Sequence, residues 1–527
     1  MVWTPSGWWW LPVLGAAWLV YEVLRYLVVR TAKARYEAQV DRFLRENEIP
    51  TDNYRHTHRV VVKETVLAEP GLVEAMAARA RADGTSVAQV RERVRHWLDE
   101  IVPQFNLFAY YKVGYALGRT FAYALYNVRL DQASLRRAQA AIPEGASVVY
   151  VSNHRSNADF VVTGFMLSRS VQVSYAVGEW ARVWPLEGIF KSFGSYFVRR
   201  GERDPLYHRT LETYLQLITK QKVTQAMFPE GGLSRDGALR PVKLGLLDYM
   251  AKAKLDPTFT APLVFVPVGI NFDRVLEDNV LTGEARAEAD ATAPRRSTGQ
   301  KVARIGSLLG RTFVGVPLNV ARFATKRLKK HGVCAIHFGE PVSFDDWLAA
   351  NGGQSLLEEP DRKARQERLR PFAEDLLDRI GANVPVTPAT VVCLALVELG
   401  EARATDPDAA PDRGDLILAL RTVTDRLKAR GAPFFTGNPY EAHDEDQREL
   451  RREMKGHKEL VDVSLHLGEA DDLDEILDLG LDVLEPRGIL ASSRGPDGVL
   501  RFRADGAQWH LVTYYANSLA PAGLQEK

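Results

Sequence analysis

The sequence predicts an α/β fold, preceded by a membrane-associated helical region and followed by a mainly helical one. Three observations carry this. Between Ser147 and Val268, short β-branched or aromatic runs alternate with segments of helical pattern, as in a sheet layered with helices. Val2 to Tyr21 carries no charge and holds Trp8, Trp9, Trp10 and Trp18, residues suited to a bilayer interface. After Phe344 the chain is helical in pattern almost to its last hairpin.

A chain of 527 residues can bury more than one core, and composition divides it at 1–30, 31–102, 103–350 and 351–527. In the first part, Pro5, Gly7, Pro12 and Gly15 interrupt the apolar run, and Arg30, Lys33 and Arg35 follow it. The expectation is a membrane anchor, spanning or lying in the interface, against the alternative of an apolar helix docked on the protein. If it spans, the positive flank places the rest of the chain on the cytoplasmic face. From Tyr36 to Val102 dense charge and alanine predict helices, broken at Pro70-Gly71 and Asp83-Gly84. Phe105 to Tyr126 is rich in tyrosine and phenylalanine, with Lys112 and Arg119 seven apart; it reads either as a core helix or as one resting on lipid.

The strand Ser147 to Val151 then runs into Ser152-Asn153-His154-Arg155-Ser156-Asn157-Ala158-Asp159, followed by the apolar helix Phe160 to Leu167. His154 leaves the end of a buried strand. Asp159 falls in a first helical turn, where Ser156 or Asn157 can cap and the macrodipole favours a carboxylate, so the turn can fold the acid back on the imidazole. A histidine held by a carboxylate can take a proton from a hydroxyl. His457 with Asp462 and His466 with Asp471 share the spacing but have no strand before them. Spacing alone therefore does not select the pair; context does.

Further strands are expected at Val171 to Val177, Ser195 to Val198, Val223 to Phe228 and Leu263 to Val268, with helices around Arg182 to Phe193, Pro205 to Lys220 and Val242 to Ala253. Ligand sites in such folds gather at strand ends. One end carries Arg199 and Arg200, whose guanidinium forks suit a phosphate dianion. Another is Phe228-Pro229-Glu230-Gly231-Gly232-Leu233-Ser234-Arg235, where the glycines admit a ligand close to the backbone and Ser234, Arg235 and Lys243 can donate to an anion. At the third, Pro267 implies an edge strand or a pocket wall. Beyond Phe344, helices are expected through Ile380, at Ala389 to Leu399 and at Leu416 to Lys428, and a β-hairpin from Arg487 to Phe502 turns at Pro496-Asp497-Gly498.

The net charge of +1 argues against a general polyanion binder. The segment Arg295 to Lys330 has no acidic residue and can face anionic lipid, nucleic acid or plain solvent; Phe313 and Phe323 alone offer stacking, so no nucleic-acid partner is expected. Cys334 and Cys393 sit in apolar runs, giving neither a disulfide framework nor a metal set and pointing to a reducing compartment.

Taken in order, Asn153-His154-Arg155-Ser156 with Asp159, Gly194 to Arg200, Glu230-Gly231-Gly232 with Ser234-Arg235, and Val266-Pro267-Val268 resemble the motifs of the glycerol-3-phosphate and dihydroxyacetone-phosphate acyltransferases. The likeness covers Ser147 to Phe344, through Leu281-Thr282-Gly283-Glu284 and Ile336 to Pro341, and reaches more faintly to Tyr514-Tyr515-Ala516-Asn517. It implies a mixed sheet flanked by helices and an O-acyl transfer in phospholipid synthesis. His154 and Asp159 would be the general-base dyad. Arg155, Ser156, Arg199, Arg200, Glu230, Gly231, Gly232, Ser234, Arg235 and Pro267 would form the acceptor site. Implied with them are acyl-CoA or acyl carrier protein as thioester co-substrate, glycerol 3-phosphate as acceptor, membrane lipid as partner, and no resident cofactor or metal. Dihydroxyacetone phosphate and lysophosphatidate are the other acceptors, and a non-catalytic lipid-binding scaffold is the reading from another class. No G-x-S-x-G elbow supplies a serine nucleophile.

Overall fold

The computed structural model describes residues 59–104, 125–167, 173–178, 186–199, 201–289, 331–437, 472–495 and 497–520, together with 22, 30, 118 and 122. The expected anchor, most of the aromatic segment 105–126, Arg200, the basic segment 295–330 and the His457 and His466 pairs lie outside them. Among the described residues no helix is long and apolar enough to cross a membrane. The chain forms two compact units, Met1–Thr51 with Arg169–Val171, and Asp52–Ser168 with Gln172–Lys527. The second unit holds the described parts of residues 59–102, 103–350 and 351–527 together.

The centre of this second unit is a mixed sheet. The strands are β1 (Asn127–Leu130), β2 (Ser147–Ser152), β3 (Ser174–Gly178), β4 (Tyr196–Val198), β5 (Gln225–Met227), β6 (Leu263–Phe272), β7 (Val333–Phe338) and β8 (Val342–Ser343). They lie in the order β1-β7-β6-β2-β5-β3-β4, with β8 beside β6. β2 runs parallel to β5 and β6, and β3 parallel to β4 and β5. β7 and β8 oppose β6, and β1 is parallel to β7. Every residue of β6 is buried. That is why its sequence reads as an unbroken apolar run rather than an alternation.

Two expectations change here. Pro267 stands inside the long central strand β6, opposite Val151 of β2, and not on an edge. Its carbonyl accepts a bond from the Gly339 N–H at 2.8 Å, on the side where β8 has ended and β7 begins. A strand residue turns its N and its O to the same side, so the missing N–H faces that break and costs no ladder bond. The second is β1, which sequence reading passes over: Asn-Val-Arg-Leu has little strand character, and its pairing with β7 makes it a strand.

Helices cover the sheet. The helix Pro205–Lys220 starts where expected, with Asp204 accepting from the Leu206 N–H and proline in the first turn. The charged stretch breaks into Arg59–Leu67, Pro70–Asp83 and Val87–Ile101 at the two predicted turns, Gly84 capping at φ +64 and Ser86 with Gln89 forming a capping box. These helices share one core with the sheet, through Leu72, Val94, Leu98, Leu211 and Val151 among others. The helix Arg362–Ala382 joins that core through Leu369, Phe372 and Leu376. A second group of helices gathers around Pro388–Leu399: Arg413–Ala429, Leu473–Leu484 and Trp509–Asn517. Strands β9 (Leu490–Arg494) and β10 (Leu500–Ala504) pair antiparallel as the predicted hairpin.

A buried ion pair ties Arg362–Ala382 to the short helix Gly245–Ala251. Arg365 grips Asp248 through two bonds of 2.6 and 3.0 Å, with Asp248 fully buried. Asp248→Ala leaves the guanidinium buried without its anion, and a loss of about 3–5 kcal/mol is expected in urea unfolding. A loss below about 1 kcal/mol would show that the pair is solvated in practice.

Candidate active site

The site is assembled where β2 ends. Asn153 keeps the chain in the sheet for one more residue: its amide exchanges two bonds of 2.8 Å with the N–H and carbonyl of Ile270 on β6. His154 is thus the first residue free to leave. Its ring lies flat on Phe228, centroids 4.0 Å apart and planes 12° apart. Its Nδ1 is 3.0 Å from Asp159 Oδ2.

Asp159 sits in the first turn of the helix Ala158–Leu167, with none of its surface exposed. The same Oδ2 accepts the Arg155 N–H at 2.7 Å and the Ser156 N–H at 3.0 Å, so the carboxylate ties the turn before it holds the ring. Ser156 Oγ caps the Ala158 N–H at 3.0 Å. A carboxylate on Nδ1 requires the proton there. Nε2 is then the nitrogen with a lone pair, the form a general base needs.

Glu230 fixes the other side of His154. Buried to 1% exposure, it accepts the His154 N–H on one oxygen at 2.7 Å and the Arg240 N–H on the other at 2.8 Å. Burial pushes its carboxyl up to about 7, against the two amide donors, which favour the charged form. Gly231 turns the chain at φ +66, where an added Cβ would stand 2.8 Å from Lys243 Cγ, and Gly232 follows it. The Ser234 N–H returns to the His154 carbonyl at 2.9 Å. Ser234 Oγ donates to the Ala238 carbonyl at 2.6 Å and accepts the Gly237 N–H, which makes it a loop brace.

The expected acceptor-site cations divide. Arg155 is buried, its guanidinium donating to Asn271 Oδ1 and to the Tyr514 carbonyl. Ser156 Oγ donates to Glu277 at 2.7 Å. Arg199 is bonded to both oxygens of Glu100 at 2.9 and 2.8 Å and to Glu202 at 3.2 Å. β4 also stands three strands from β2, about 14 Å at ordinary spacing. The fork expected for phosphate therefore already grips two carboxylates. Arg200 lies outside the described residues. Arg235 remains on the glycine loop, about a third exposed and 3.5 Å from Glu284, with Lys243 exposed nearby.

Two residues of the site were invisible in sequence. Glu277 holds both Ser156 and Asn157, and burial raises its carboxyl. Asn271 carries Arg155. Neither is spaced from His154 by any local period, so no motif could have found them.

A family described as Acyltransferase matches residues 136–271, and one described as the glycerol-3-phosphate acyltransferase C-terminal region matches 317–470. The glycerol-3-phosphate acyltransferase of Aeromonas hydrophila is 25% identical over 81% of this chain and 48% of its own. That of Haemophilus influenzae is 26% identical over 62% of this chain and 38% of its own. The chain thus spans half the length or less of these relatives. A solved structure, the 1-acyl-sn-glycerophosphate (LPA) acyltransferase of Thermotoga maritima, is 17% identical, covering 50% of this chain and 75% of its own, with a TM-score of 0.27.

Glu230 gives a pH test. Its folded carboxyl is raised from 4.5 to about 7, so between these values the folded state binds more protons than the unfolded. The stability it contributes is full below the unfolded value and is lost as pH rises through about 7. In urea unfolding, Glu230→Gln is expected to flatten the fall in stability between about pH 5 and pH 8. An unchanged slope would show that Glu230 does not titrate in that window.

Proposed function

Because the chain belongs to the glycerol-3-phosphate acyltransferase family, we propose that it transfers a fatty acyl group from a thioester to the 1-hydroxyl of glycerol 3-phosphate, yielding lysophosphatidate. The observation that carries the reading is the His154–Asp159 pair, with Nδ1 held and Nε2 left to accept a proton. Nε2 takes the hydroxyl proton as the oxygen attacks the thioester carbonyl carbon, and Asp159 stabilises the imidazolium. The C–S bond breaks, the ester forms, and the leaving thiolate recovers the proton from His154. No acyl-enzyme is required.

The donor is acyl-CoA or acyl carrier protein, entering as co-substrate with no resident cofactor. Glycerol 3-phosphate has little apolar surface to bury, so its phosphate must supply most of its binding. Arg235 and Lys243, on the loop that Glu230 anchors beside His154, are the cations we assign to it. Dihydroxyacetone phosphate ranks second among acceptors, because it differs only at the central carbon. Residues 1–30 and 295–330 bring the chain to a lipid surface on the cytoplasmic side.

The test is direct. The purified chain receives a long-chain acyl thioester and, separately, glycerol 3-phosphate, dihydroxyacetone phosphate or lysophosphatidate. Fastest transfer is expected to glycerol 3-phosphate, with His154→Ala slower by about two to four decades while its circular dichroism stays native. Transfer within a few-fold of wild type by that variant removes the dyad, whereas a preference for lysophosphatidate keeps the dyad and changes the acceptor.

Arg235→Ala is expected to raise the KM of glycerol 3-phosphate by tenfold or more, an interaction of about 2 kcal/mol, with the thioester KM unmoved. The same change at Arg199 is expected to lower the melting temperature through the stranded Glu100 and to affect the acceptor KM little. The reverse pattern in steady-state kinetics would move the phosphate to Arg199.

A further inference from the structure

The helix Trp509–Asn517 bonds to the turn of Arg155, to the glycine loop and to the segment beyond β6. On the turn side, Arg155 is 2% exposed and its guanidinium carbon lies 4.9 Å over the Tyr514 ring. One guanidinium nitrogen donates to the Tyr514 carbonyl at 3.3 Å and another to Asn271. The Arg155 backbone N–H is itself one of the donors that seat Asp159.

On the glycine-loop side, Asn517 donates to the Asp236 carbonyl at 2.9 Å. Gly237, at φ +89, lies so close to the helix that an added Cβ would be 1.8 Å from the Tyr514 oxygen. Its N–H bonds Ser234, whose own N–H holds the His154 carbonyl. Beyond β6, Tyr515 Oη accepts the Val275 N–H at 3.0 Å and donates to Asp278 at 2.5 Å, in the turn that also carries Glu277.

We propose that the helix Trp509–Asn517 positions the catalytic histidine, with Tyr514 acting through Arg155 and Asn517 through the loop from Ser234 to Gly237. Arg155 is then a positioning residue and not a ligand of the acceptor's phosphate. Its charge meets an amide oxygen, a carbonyl and a ring in a setting 2% exposed, while its Nε, buried as well, has no partner among the described residues. A displacement of about 1 Å in a reacting group can cost on the order of a hundredfold in rate, so a brace at this place acts on kcat.

The inference deepens the acyltransferase reading and rests on it. The full chain is compared with Arg155→Met, Tyr514→Leu, Tyr514→Phe, Asn517→Ala and the Arg155→Met/Tyr514→Leu double variant, using glycerol 3-phosphate and an acyl thioester. Arg155→Met and Tyr514→Leu are each expected to lower kcat about tenfold or more with the acceptor KM nearly unchanged. The double variant falls little further than the worse single one, because the two act in one path. Tyr514→Phe, which keeps the ring, restores most of kcat. Asn517→Ala, at a partly exposed position that leaves the core intact, lowers kcat several-fold. If Arg155→Met raises the acceptor KM while Tyr514→Leu and Asn517→Ala leave kcat unchanged, Arg155 is a substrate ligand and the proposal falls. If wild type transfers to no acceptor, the acyltransferase reading fails separately, and hydrogen–deuterium exchange of residues 153–159 decides the brace. Faster exchange in Tyr514→Leu and Asn517→Ala upholds it; exchange equal to wild type overturns it.

Discussion

One carboxylate oxygen organises this site. Asp159 Oδ2 receives the His154 ring and the N–H groups of Arg155 and Ser156, so the atom that orients the imidazole also closes the turn that carries it. A first-turn position allows this because its carboxylate can fold back onto the N–H groups of Arg155 and Ser156, in the turn that leads into the helix. The geometry of the His154–Asp159 pair and the start of the helix Ala158–Leu167 are a single structural event.

That turn must be hung from something rigid, and β6 is what it hangs from. Asn153 reproduces a peptide's hydrogen bonds to Ile270, and Glu230 bonds the His154 N–H from the next loop along the sheet. β6 in turn is buried along its whole length, and it admits Pro267 because the neighbouring strand changes at that place. A proline that would break an ordinary central strand is harmless here for a local reason. The result is a histidine whose backbone N–H and carbonyl are both bonded to the glycine loop after β5, while its ring is bonded to Asp159.

Buried and half-buried charge does a different task. Arg365 with Asp248, Arg487 with Asp278, and Arg199 with Glu100 each join a flanking helix or turn to the sheet domain. Such pairs add little net stability against apolar replacements, yet losing one partner is costly, so they specify which surfaces meet. Arg487 reaches Asp278 together with the Tyr515 hydroxyl, at 2.5 Å in each case, and thereby locks the helix Trp509–Asn517 beside the loop beyond β6. Arg199, at a strand exit, meets a carboxylate far along its own chain.

The sequence by itself determined the local units. Apolar runs between helical segments located β2, β4 and β6, the Pro70-Gly71 and Asp83-Gly84 turns divided the early helices, and Asp204-Pro205 opened the helix after β4. It also determined His154 and Asp159, because their pairing spans a single turn and depends on bonds between near neighbours. Tertiary structure alone decided the strand β1, whose four residues are a strand only beside β7. It alone decided Glu277 and Asn271, which reach the site across 121 and 116 residues of chain. It also decided the fate of Arg199, since Glu100 lies 99 residues before it. A hydrogen bond within one turn is written in the spacing of its residues, whereas an ion pair between distant helices exists only after the core between them has packed.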